Sequence, residues 1–365
     1  MAIGTTAYVL GAGFSANAGL PLQSDFTERF LRANQFKKGK SRFLMPHLGS
    51  FVRDTFGFKD GQDSSLYPEL EDVFTTLDLS ANTGHNLGRK YSPSDLRRLR
   101  RMLLSRIIRM LNAAYLDGKK EPSKDRKQLL SFLKNVSCTQ HEFVSLNWDT
   151  VLEGCFEELE HNLSPCYSNE IHPVIIEEGK VKPIEQAGSR ILVAKMHGSI
   201  NWLYCDCCRR TFSVPVSQVS LLASQVLKSD ESKKLYGESM RARLECPLCD
   251  VDLGVRLATF SYQKALRTST FESSWLQAEK TLMQARRWVF IGYSLPGADF
   301  EFKYLLKRVA LSLRRSPEIV VVTKINRQEA IEKNSTVISY QRFFGEGKPR
   351  FFYDSLTADA IKDIL

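Results

Sequence analysis

The sequence predicts an α/β fold built on a parallel sheet, with two modules inserted between its strands. Five short apolar runs are separated by stretches in which apolar residues recur at helical spacing. A glycine-rich turn follows the first run, and polar clusters follow most of the others. Buried parallel strands read as continuous apolar runs, and ligands bind outside their carboxyl ends. The polar clusters are therefore expected to converge at one edge of the sheet.

The predicted strands are short and apolar, and they are bounded by polar or glycine-containing segments. They are Ala7–Leu10, Phe143–Leu146, Ile191–Ala194, Trp288–Ile291 and Ile319–Val322.

Helical spacing is clearest over Leu96–Leu111 and weaker over Glu69–Leu79. A helix is also predicted over Ser24–Asn34 with Ser24 as its N-cap, and another from Thr150. Residues 36–135 show much helical spacing and little alternation, which indicates a helical module inserted after the first strand and helix.

Length and composition are those of a globular protein. The 365 residues, 43% hydrophobic and 25% charged, allow one large domain with an insertion or two domains. The net charge of +10 is concentrated in Arg97–Arg109, Lys119–Lys127 and Arg314-Arg315. These stretches are interpreted as solvated helix faces, with attraction to a polyanion such as a nucleic acid or a dinucleotide as the alternative.

No apolar run reaches the length of about 18 residues that a membrane-spanning helix needs. Met1–Leu10 lacks the basic segment and long apolar segment of a signal peptide. We therefore expect a cytoplasmic protein with no membrane partner.

The glycine turn Gly11-Ala12-Gly13-Phe14-Ser15-Ala16 fits the pattern G-x-G-x-x-G/A after a strand. Glycine permits close approach of the backbone to a pyrophosphate, and the following helix offers N–H groups to an anion. A plain turn is the alternative. The helix is stopped early by Gly19-Leu20-Pro21, and no acidic residue lies about 20 positions further on. A hydride-transferring dinucleotide enzyme is therefore disfavoured.

Two further strand ends carry candidate chemistry. Asn147 and Asp149 flank Trp148 after the second strand, where they either form an Asx turn or hold hydroxyls, a carboxamide or a water. His197 is the only one of six histidines that follows a buried strand and precedes a glycine. It is either a core histidine or a neutral imidazole that takes a proton from a ribose hydroxyl or a water. No role is expected for the other histidines, His47, His85, His141, His161 and His172.

Five of the eight cysteines fall in two tight clusters. Cys205, Cys208, Cys246 and Cys249 form two C-x-x-C pairs, the pattern of a tetrahedral structural zinc site. The 37 residues between the pairs exceed the usual spacing of about 15–20, so the connection carries an insertion. Four free thiols, or Cys207 in place of Cys208, are the alternatives.

Taken in order, these motifs resemble the sirtuin superfamily over about residues 7 to 330. Gly11–Pro21 is similar to the sirtuin stretch G-A-G-x-S-x-x-x-G-I-P, and Ser145–Asp149 to the element T-Q-N-I-D. His197 and the glycine after it take the place of the catalytic H-G, and the cysteine pairs follow. Gly292–Leu295 is similar to the element G-T-S-L, and Asn326 is placed like the ribose-contacting asparagine.

The resemblance implies one sirtuin-like domain over 1–365. Its Rossmann-like NAD-binding core would comprise 1–35, 136–202 and 253–365. A helical insertion would occupy 36–135, and a zinc-ribbon insertion 203–252.

The resemblance also implies that NAD+ is the substrate and that Zn²⁺ is structural. Asn147 would contact the nicotinamide ribose or position water, and His197 would be the general base. Asp149 would hold the carboxamide, and Asn326 the adenosine ribose. The residues implied to bind the dinucleotide are Gly11, Ala12, Gly13, Ser15, Asp149, Gly292, Ser294 and Asn326.

Two departures from the sirtuin deacylases affect the predicted reaction. Pro21 is not followed by D-F-R, and the first arginine after it is Arg29. Leu257–Lys264, after the cysteine pairs, lacks the F-G-E strand that would pair with an acyl-lysine peptide. The motifs resemble more closely the bacterial sirtuin-like branch, whose members often hydrolyse NAD in defence against bacteriophage.

The expected activity is therefore NAD glycohydrolase. A protein lysine deacylase or ADP-ribosyltransferase, and a non-catalytic sensor of NAD or ADP-ribose, are the alternatives. Such a hydrolase must be held silent, so a homo-oligomer or a regulatory partner is expected. Leu96–Lys127 is a candidate contact surface, and nucleic acid is a further candidate partner.

Overall fold

The computed structural model describes residues 5–31, 45–57, 59, 63, 66–159, 163–168, 170–185, 188–227, 243–255, 257, 269–325 and 331–365. Several sequence-based predictions fall partly or wholly outside these residues, among them the end of the helix predicted to Asn34, His161 and residues 228–242 of the zinc-ribbon segment. The others concern Asn326, residues 36–44 of the helical module, and residues 258–264 of the segment that lacks F-G-E.

Strands and helices alternate along much of the chain. The strands are β1 (Thr5–Leu10), β2 (His141–Ser145), β3 (Leu163–Cys166), β4 (Ile171–Glu177), β5 (Lys180–Pro183), β6 (Ser189–Lys195), β7 (Trp202–Cys205), β8 (Thr211–Ser213), β9 (Leu253–Gly254), β10 (Ala285–Ile291), β11 (Glu318–Val322) and β12 (Pro349–Phe352). The helices are α1 (Ala12–Ala16), α2 (Gln23–Leu31), α3 (Met45–Phe56), α4 (Leu70–Thr83), α5 (Pro93–Lys120), α6 (Lys124–Lys134), α7 (Val151–Glu158), α8 (Val219–Gln225), α9 (Ser269–Gln284), α10 (Phe300–Ser312), α11 (Ser335–Phe344) and α12 (Ala358–Ile364).

A seven-stranded parallel sheet in the order β12-β11-β10-β1-β2-β6-β3 forms the centre of the fold. The predicted Rossmann-like α/β class is therefore confirmed. All five predicted strands are present, as β1, β2, β6, β10 and β11. The two edge strands β3 and β12 were not predicted. Each has four residues and contains a proline, so neither gives an apolar run, and proline is tolerated at sheet edges.

The register of the central strands places the carboxyl ends of β1, β2 and β10 at the same level of the sheet. Leu10 at the end of β1 pairs with Ser145 on one side and with Ile291 on the other. The residues that follow these three positions therefore leave the sheet side by side. Alternate residues of β1 enter different cores: Tyr8 packs with the helical module, and Val9 packs with α9 and α10.

Helices α2 to α6 lie between the first two strands of the chain. The predicted helical segments Glu69–Leu79 and Leu96–Leu111 are found largely in α4 and in α5, which is 28 residues long. The N-cap prediction was wrong at Ser24. The amide of Asp25 bonds to the Leu22 carbonyl, so the turn starts earlier and α2 begins at Gln23.

Arginines of α5 are partly used inside the protein. Arg100 Nε lies 2.6 Å from an Asp78 carboxylate oxygen on α4, and Arg106 is buried. Part of the predicted basic contact surface is therefore internal. Within the described ranges, no helix has the length and apolar character needed to cross a membrane.

A second sheet, in the order β5-β4-β8-β7-β9, carries the cysteine pairs. It includes β4 and β5, which precede the 203–252 segment. Its own small core contains apolar residues such as Val174, Leu203 and Phe212 together with Cys205 and Cys246.

Candidate functional site

Three strand ends are joined by backbone hydrogen bonds at the carboxyl edge of the sheet. Gly11 N–H donates to the Ile291 carbonyl at 3.1 Å, and Leu146 N–H donates to the Leu10 carbonyl at 3.0 Å. A cleft of about 890 Å³, including its open mouth, lies over this junction. Most of the predicted site residues line it: Gly11, Ala12, Ser15, Asn147, Asp149, His197, Gly292 and Ser294.

Glycine is required at the junction because two backbones touch there. A Cβ on Gly11 would lie 2.6 Å from the Gly292 carbonyl oxygen. Gly292 has φ +62°, and a Cβ there would lie 2.2 Å from the amide nitrogen of Phe14. These glycines therefore satisfy packing between β1 and β10, a need independent of any ligand.

The predicted anion site at the start of α1 offers fewer backbone N–H groups than the motif suggests. Gly13 N–H donates to the Gly292 carbonyl at 2.8 Å, and Phe14 N–H donates to the Gly11 carbonyl at 3.0 Å. Two amides of the turn are thus already engaged. Gly13 is not among the residues that line the cleft, whereas Ala12 lines it and is exposed.

Asn147 connects the end of β2 to the glycine turn. Its Nδ2 donates to the Gly11 carbonyl at 2.8 Å and to Ser15 Oγ at 2.9 Å. The two bonds fix the amide plane and hold Ser15, which is buried. The Asx turn, which the sequence allowed at either Asn147 or Asp149, is formed by Asp149, whose Oδ1 accepts a bond from Val151 N–H at 3.0 Å.

Asp149 lies at the wall of the cleft and belongs to a buried charged network. Burial raises the pKa of its carboxyl, and the Lys195 ammonium acts in the opposite direction. Lys195 Nζ donates to the Asp149 backbone carbonyl and lies 3.3 Å from Glu153 Oε1. Tyr167 OH donates to the same Glu153 oxygen at 2.8 Å.

His197 is held at the end of β6. It is 6% exposed, and its Nδ1 lies 3.2 Å from the Leu146 carbonyl oxygen. A proton on Nδ1 donates to this carbonyl, which leaves Nε2 as a proton acceptor. The strand end is secured by Trp275, whose indole N–H donates to the Met196 carbonyl at 3.1 Å. This is the arrangement that a general base needs.

The end of β10 contributes groups that sequence reasoning missed. Tyr293 OH donates to Asp299 Oδ2 at 3.1 Å, and Tyr340 OH donates to the Tyr293 carbonyl at 2.9 Å. Leu295 adopts a left-handed conformation with φ +55°. Asp299 lines the cleft and lies four residues after the Gly292–Leu295 motif, so its position in the sequence gave a signal for it.

The helical module adds Glu71 and Leu111 to the cleft wall. Glu71 lies in the first turn of α4, and Leu111 lies on the buried face of α5. Neither residue is close in sequence to a strand end. Only the packing of the module onto the sheet brings them to the site.

The four predicted zinc ligands lie together at the small sheet. Their Sγ atoms are all within 4.8 Å of one another, with Cys205 and Cys249 at 3.4 Å and Cys208 and Cys246 at 3.7 Å. Cys207 is exposed and outside this cluster, so the geometry favours Cys208 as the ligand. Four thiolates at these spacings are compatible with a structural zinc ion. None of the four lines the cleft.

The remaining histidines do not line the cleft within the described residues. His141 is buried; its Nδ1 accepts a bond from Ser137 N–H at 2.9 Å, and its ring packs on Tyr8. His161 lies outside the described residues.

No protein-family model matches the sequence, and no curated protein matches it. The solved structures to which the chain is similar include Sir2 homologues. A mutant Sir2 homologue in complex with ADP-ribose is 11% identical with a TM-score of 0.40, over 99% of this chain and 90% of that chain. Sir2Tm bound to a propionylated peptide is 12% identical with a TM-score of 0.34, over 99% of this chain and 90% of that chain. Identities and TM-scores this low carry no argument about the chemistry of the cleft, which is therefore inferred from the residues that line it.

Proposed function

We propose that this chain is an NAD+ glycohydrolase that releases nicotinamide and ADP-ribose. The observation that carries the proposal is the Asn147 amide, which bridges the glycine turn in the same cleft that His197 lines. An oriented amide and an imidazole whose Nδ1 is held by a backbone carbonyl, above the carboxyl ends of parallel strands, suit cleavage at a ribose of a dinucleotide.

The reaction breaks the bond between C1′ of the ribose and the nicotinamide nitrogen. Nicotinamide leaves with the bonding electron pair, which neutralises its ring, and C1′ passes through an oxocarbenium-like state. Water adds to C1′ through its oxygen, and His197 takes the proton directly or through a ribose hydroxyl. Asn147 positions the water or the ribose. The hydroxyl group that water leaves on C1′ gives ADP-ribose, and the proton on His197 returns to solvent.

The other cleft residues are proposed to bind the rest of the substrate. Gly11, Ala12 and Ser294 would approach the phosphates from two strand ends, with Gly13 and Gly292 keeping those backbones in contact. Ser15 would support Asn147, and Asp149 would hold the carboxamide. Asn326 as a ribose ligand remains a prediction, since it lies outside the described residues. The four cysteines would hold zinc, which would stabilise the small sheet and supply no chemistry to the cleft.

Product analysis of the purified chain incubated with NAD+ tests the proposal. Nicotinamide and ADP-ribose should form, and His197→Ala should lower turnover by about 10²–10⁴-fold, the usual contribution of a general base. His85→Ala is the matched control, because His85 is exposed and does not line the cleft. Unchanged hydrolysis in His197→Ala would contradict the role of His197. NAD+ left intact both by the chain alone and with extract of phage-infected cells would contradict the function itself.

The same assay separates the alternative activities. O-acyl-ADP-ribose formed with an acylated peptide would indicate a deacylase. Of the Leu257–Lys264 segment, which departs from the deacylase pattern, the structure describes only Leu257. Transfer of label from the ADP-ribose part of labelled NAD+ to protein would indicate an ADP-ribosyltransferase. NAD+ that binds in calorimetry and stays unchanged over hours would indicate a sensor.

We further propose that the enzyme acts in the cytoplasm as an effector of bacterial defence against phage. The support is the motif pattern around Asn147, His197 and Gly292, together with the absence of the deacylase elements. Because loss of NAD+ kills the cell, an inactive homo-oligomer or a regulatory partner would restrain it. Light scattering of the purified chain, alone and with NAD+, measures whether its assembly state changes.

A further inference from the structure

A second cavity lies on the other side of the buried charged network from the cleft. It has a volume of about 590 Å³ including its mouth, and no residue that the structure describes lines both this cavity and the cleft. Its polar wall includes Glu153, Glu157, Tyr167 and Asn201, and its apolar wall includes Val214 and Val216. Lys195 contacts Glu153 of this cavity and Asp149 of the cleft.

Two acceptor atoms at this cavity have no hydrogen-bond partner within the described part of the chain. They are Glu153 Oε2 and Asn201 Oδ1, on residues that are 4% and 3% exposed. The orientation of each side chain is fixed by its other atom. Glu153 Oε1 accepts from Tyr167 OH at 2.8 Å, and Asn201 Nδ2 donates to the Val214 carbonyl at 2.9 Å. A buried acceptor without a donor is unfavourable, so a ligand that brings donors would gain by filling it.

The charge at the cavity is negative. Glu157 lines it as well, and its Oε1 accepts a bond from Val216 N–H at 3.2 Å. Partial desolvation raises the pKa of the Glu157 carboxyl, although the residue is exposed overall, and the Glu153 carboxylate acts in the same direction. The hydrogen bond from Val216 N–H and the Lys119 ammonium act in the opposite direction. Lys195 is paired with Glu153, and Lys119 acts on Glu157 from outside the cavity lining. No lysine, arginine or histidine is found among the described residues that line the cavity.

We propose that this cavity binds a guanidinium group carried on a short apolar stem. A guanidinium is planar, offers five N–H donors and is weakly hydrated, so it can enter a buried site and reach several acceptors at once. Glu153 Oε2, Asn201 Oδ1 and the Glu157 carboxylate are the acceptors. Val214, Pro215 and Val216 provide the apolar wall for the stem. An ammonium group is compact and strongly hydrated, and it suits this set of separate acceptors less well.

Titration calorimetry of the full chain with methylguanidinium chloride and with methylurea tests the proposal. The two probes have nearly the same shape, but only the first is charged and has five N–H donors. Methylguanidinium should bind at least about tenfold more tightly than methylurea, because hydrogen bonds to a charged donor are the stronger ones. Sodium chloride at matched ionic strength is the control. Equal affinity for the two probes, or no binding of methylguanidinium above the salt control, would overturn the proposal.

A conservative variant locates the binding to this cavity. Glu157→Gln keeps the oxygen that accepts from Val216 N–H and removes the charge, so it should weaken methylguanidinium binding by about tenfold or more. Glu301→Gln, an exposed position on α10, should leave binding unchanged. Unweakened binding in Glu157→Gln would exclude this cavity. The readout is binding, so its failure is independent of whether the chain hydrolyses NAD+.

Discussion

At the scale of single residues, the cleft depends on a lysine that the sequence did not single out. Lys195 is 1% exposed and lies against Glu153, which is 4% exposed. It also donates to the backbone carbonyl of Asp149, which lines the cleft. Periodicity identifies Lys195 only as the last residue of a strand. Its partner lies 42 residues earlier in the chain, so their pairing is a property of the fold.

Lys195→Met should destabilise the protein by about 3–5 kcal/mol, because it leaves the Glu153 carboxylate buried without its counter-charge. The double variant Lys195→Met/Glu153→Gln should recover much of this loss, since a neutral glutamine can still accept from Tyr167 OH. Urea unfolding of the three proteins measures both effects. A cost below about 1 kcal/mol for Lys195→Met would show that the pair is not buried in solution as described.

At the scale of elements, the site exists because β1 and β10 end in backbones that touch. The glycine motif after β1 was recognised from sequence, but its partner surface was not, since register is visible only in the folded sheet. The motif carries two constraints: contact with Gly292 and access to the cleft. The first of these explains why Gly11 cannot carry a side chain even before a ligand is considered.

Gly292→Ala should destabilise the fold by about 3 kcal/mol or more, through left-handed strain and a clash with fixed backbone at Phe14. Gly297→Ala is the matched control, because its added Cβ would meet no atom of the described residues within 4 Å. Thermal unfolding of both variants measures the difference. A Gly292→Ala protein as stable as Gly297→Ala would mean that the two strand ends are further apart than described.

A further prediction concerns the zinc ligands in the cysteine cluster. Cys208→Ser should lower the zinc content measured by elemental analysis and loosen the small sheet, since a tetrahedral site loses one of its four ligands. Cys207→Ser should keep the full zinc content, because Cys207 is exposed and lies outside the cluster. The opposite pattern would assign the ligand to Cys207.

At the scale of the whole molecule, the sequence predicted the centre of the fold better than its borders. Strands β1, β2, β6, β10 and β11 are buried and apolar, so their pattern was readable, and the polar groups after them gave most of the cleft. Edge strands β3 and β12 and the small sheet have shorter or half-polar strands and gave no pattern.

The helical module completes the cleft by close packing on the sheet. Gly118 of α5 approaches the turn after α1 so closely that a Cβ on it would lie 2.1 Å from the Ala18 carbonyl oxygen. The same module brings Glu71 and Leu111 to the cleft wall. These contacts involve helices with no motif of their own, which is why amphipathic spacing predicted the helices but not their place at the site.

A crystal structure of His197→Ala with NAD+ would show whether the dinucleotide occupies the cleft as proposed, because a hydrolysis-deficient variant would retain the intact substrate. We expect the nicotinamide ribose in the cleft, with its scissile bond within a water-bridged reach of the Asn147 amide and of the space vacated at position 197. The phosphates would lie against the turn between Gly11 and Ser15. NAD+ bound elsewhere, or with its nicotinamide end directed away from Asn147, would contradict it.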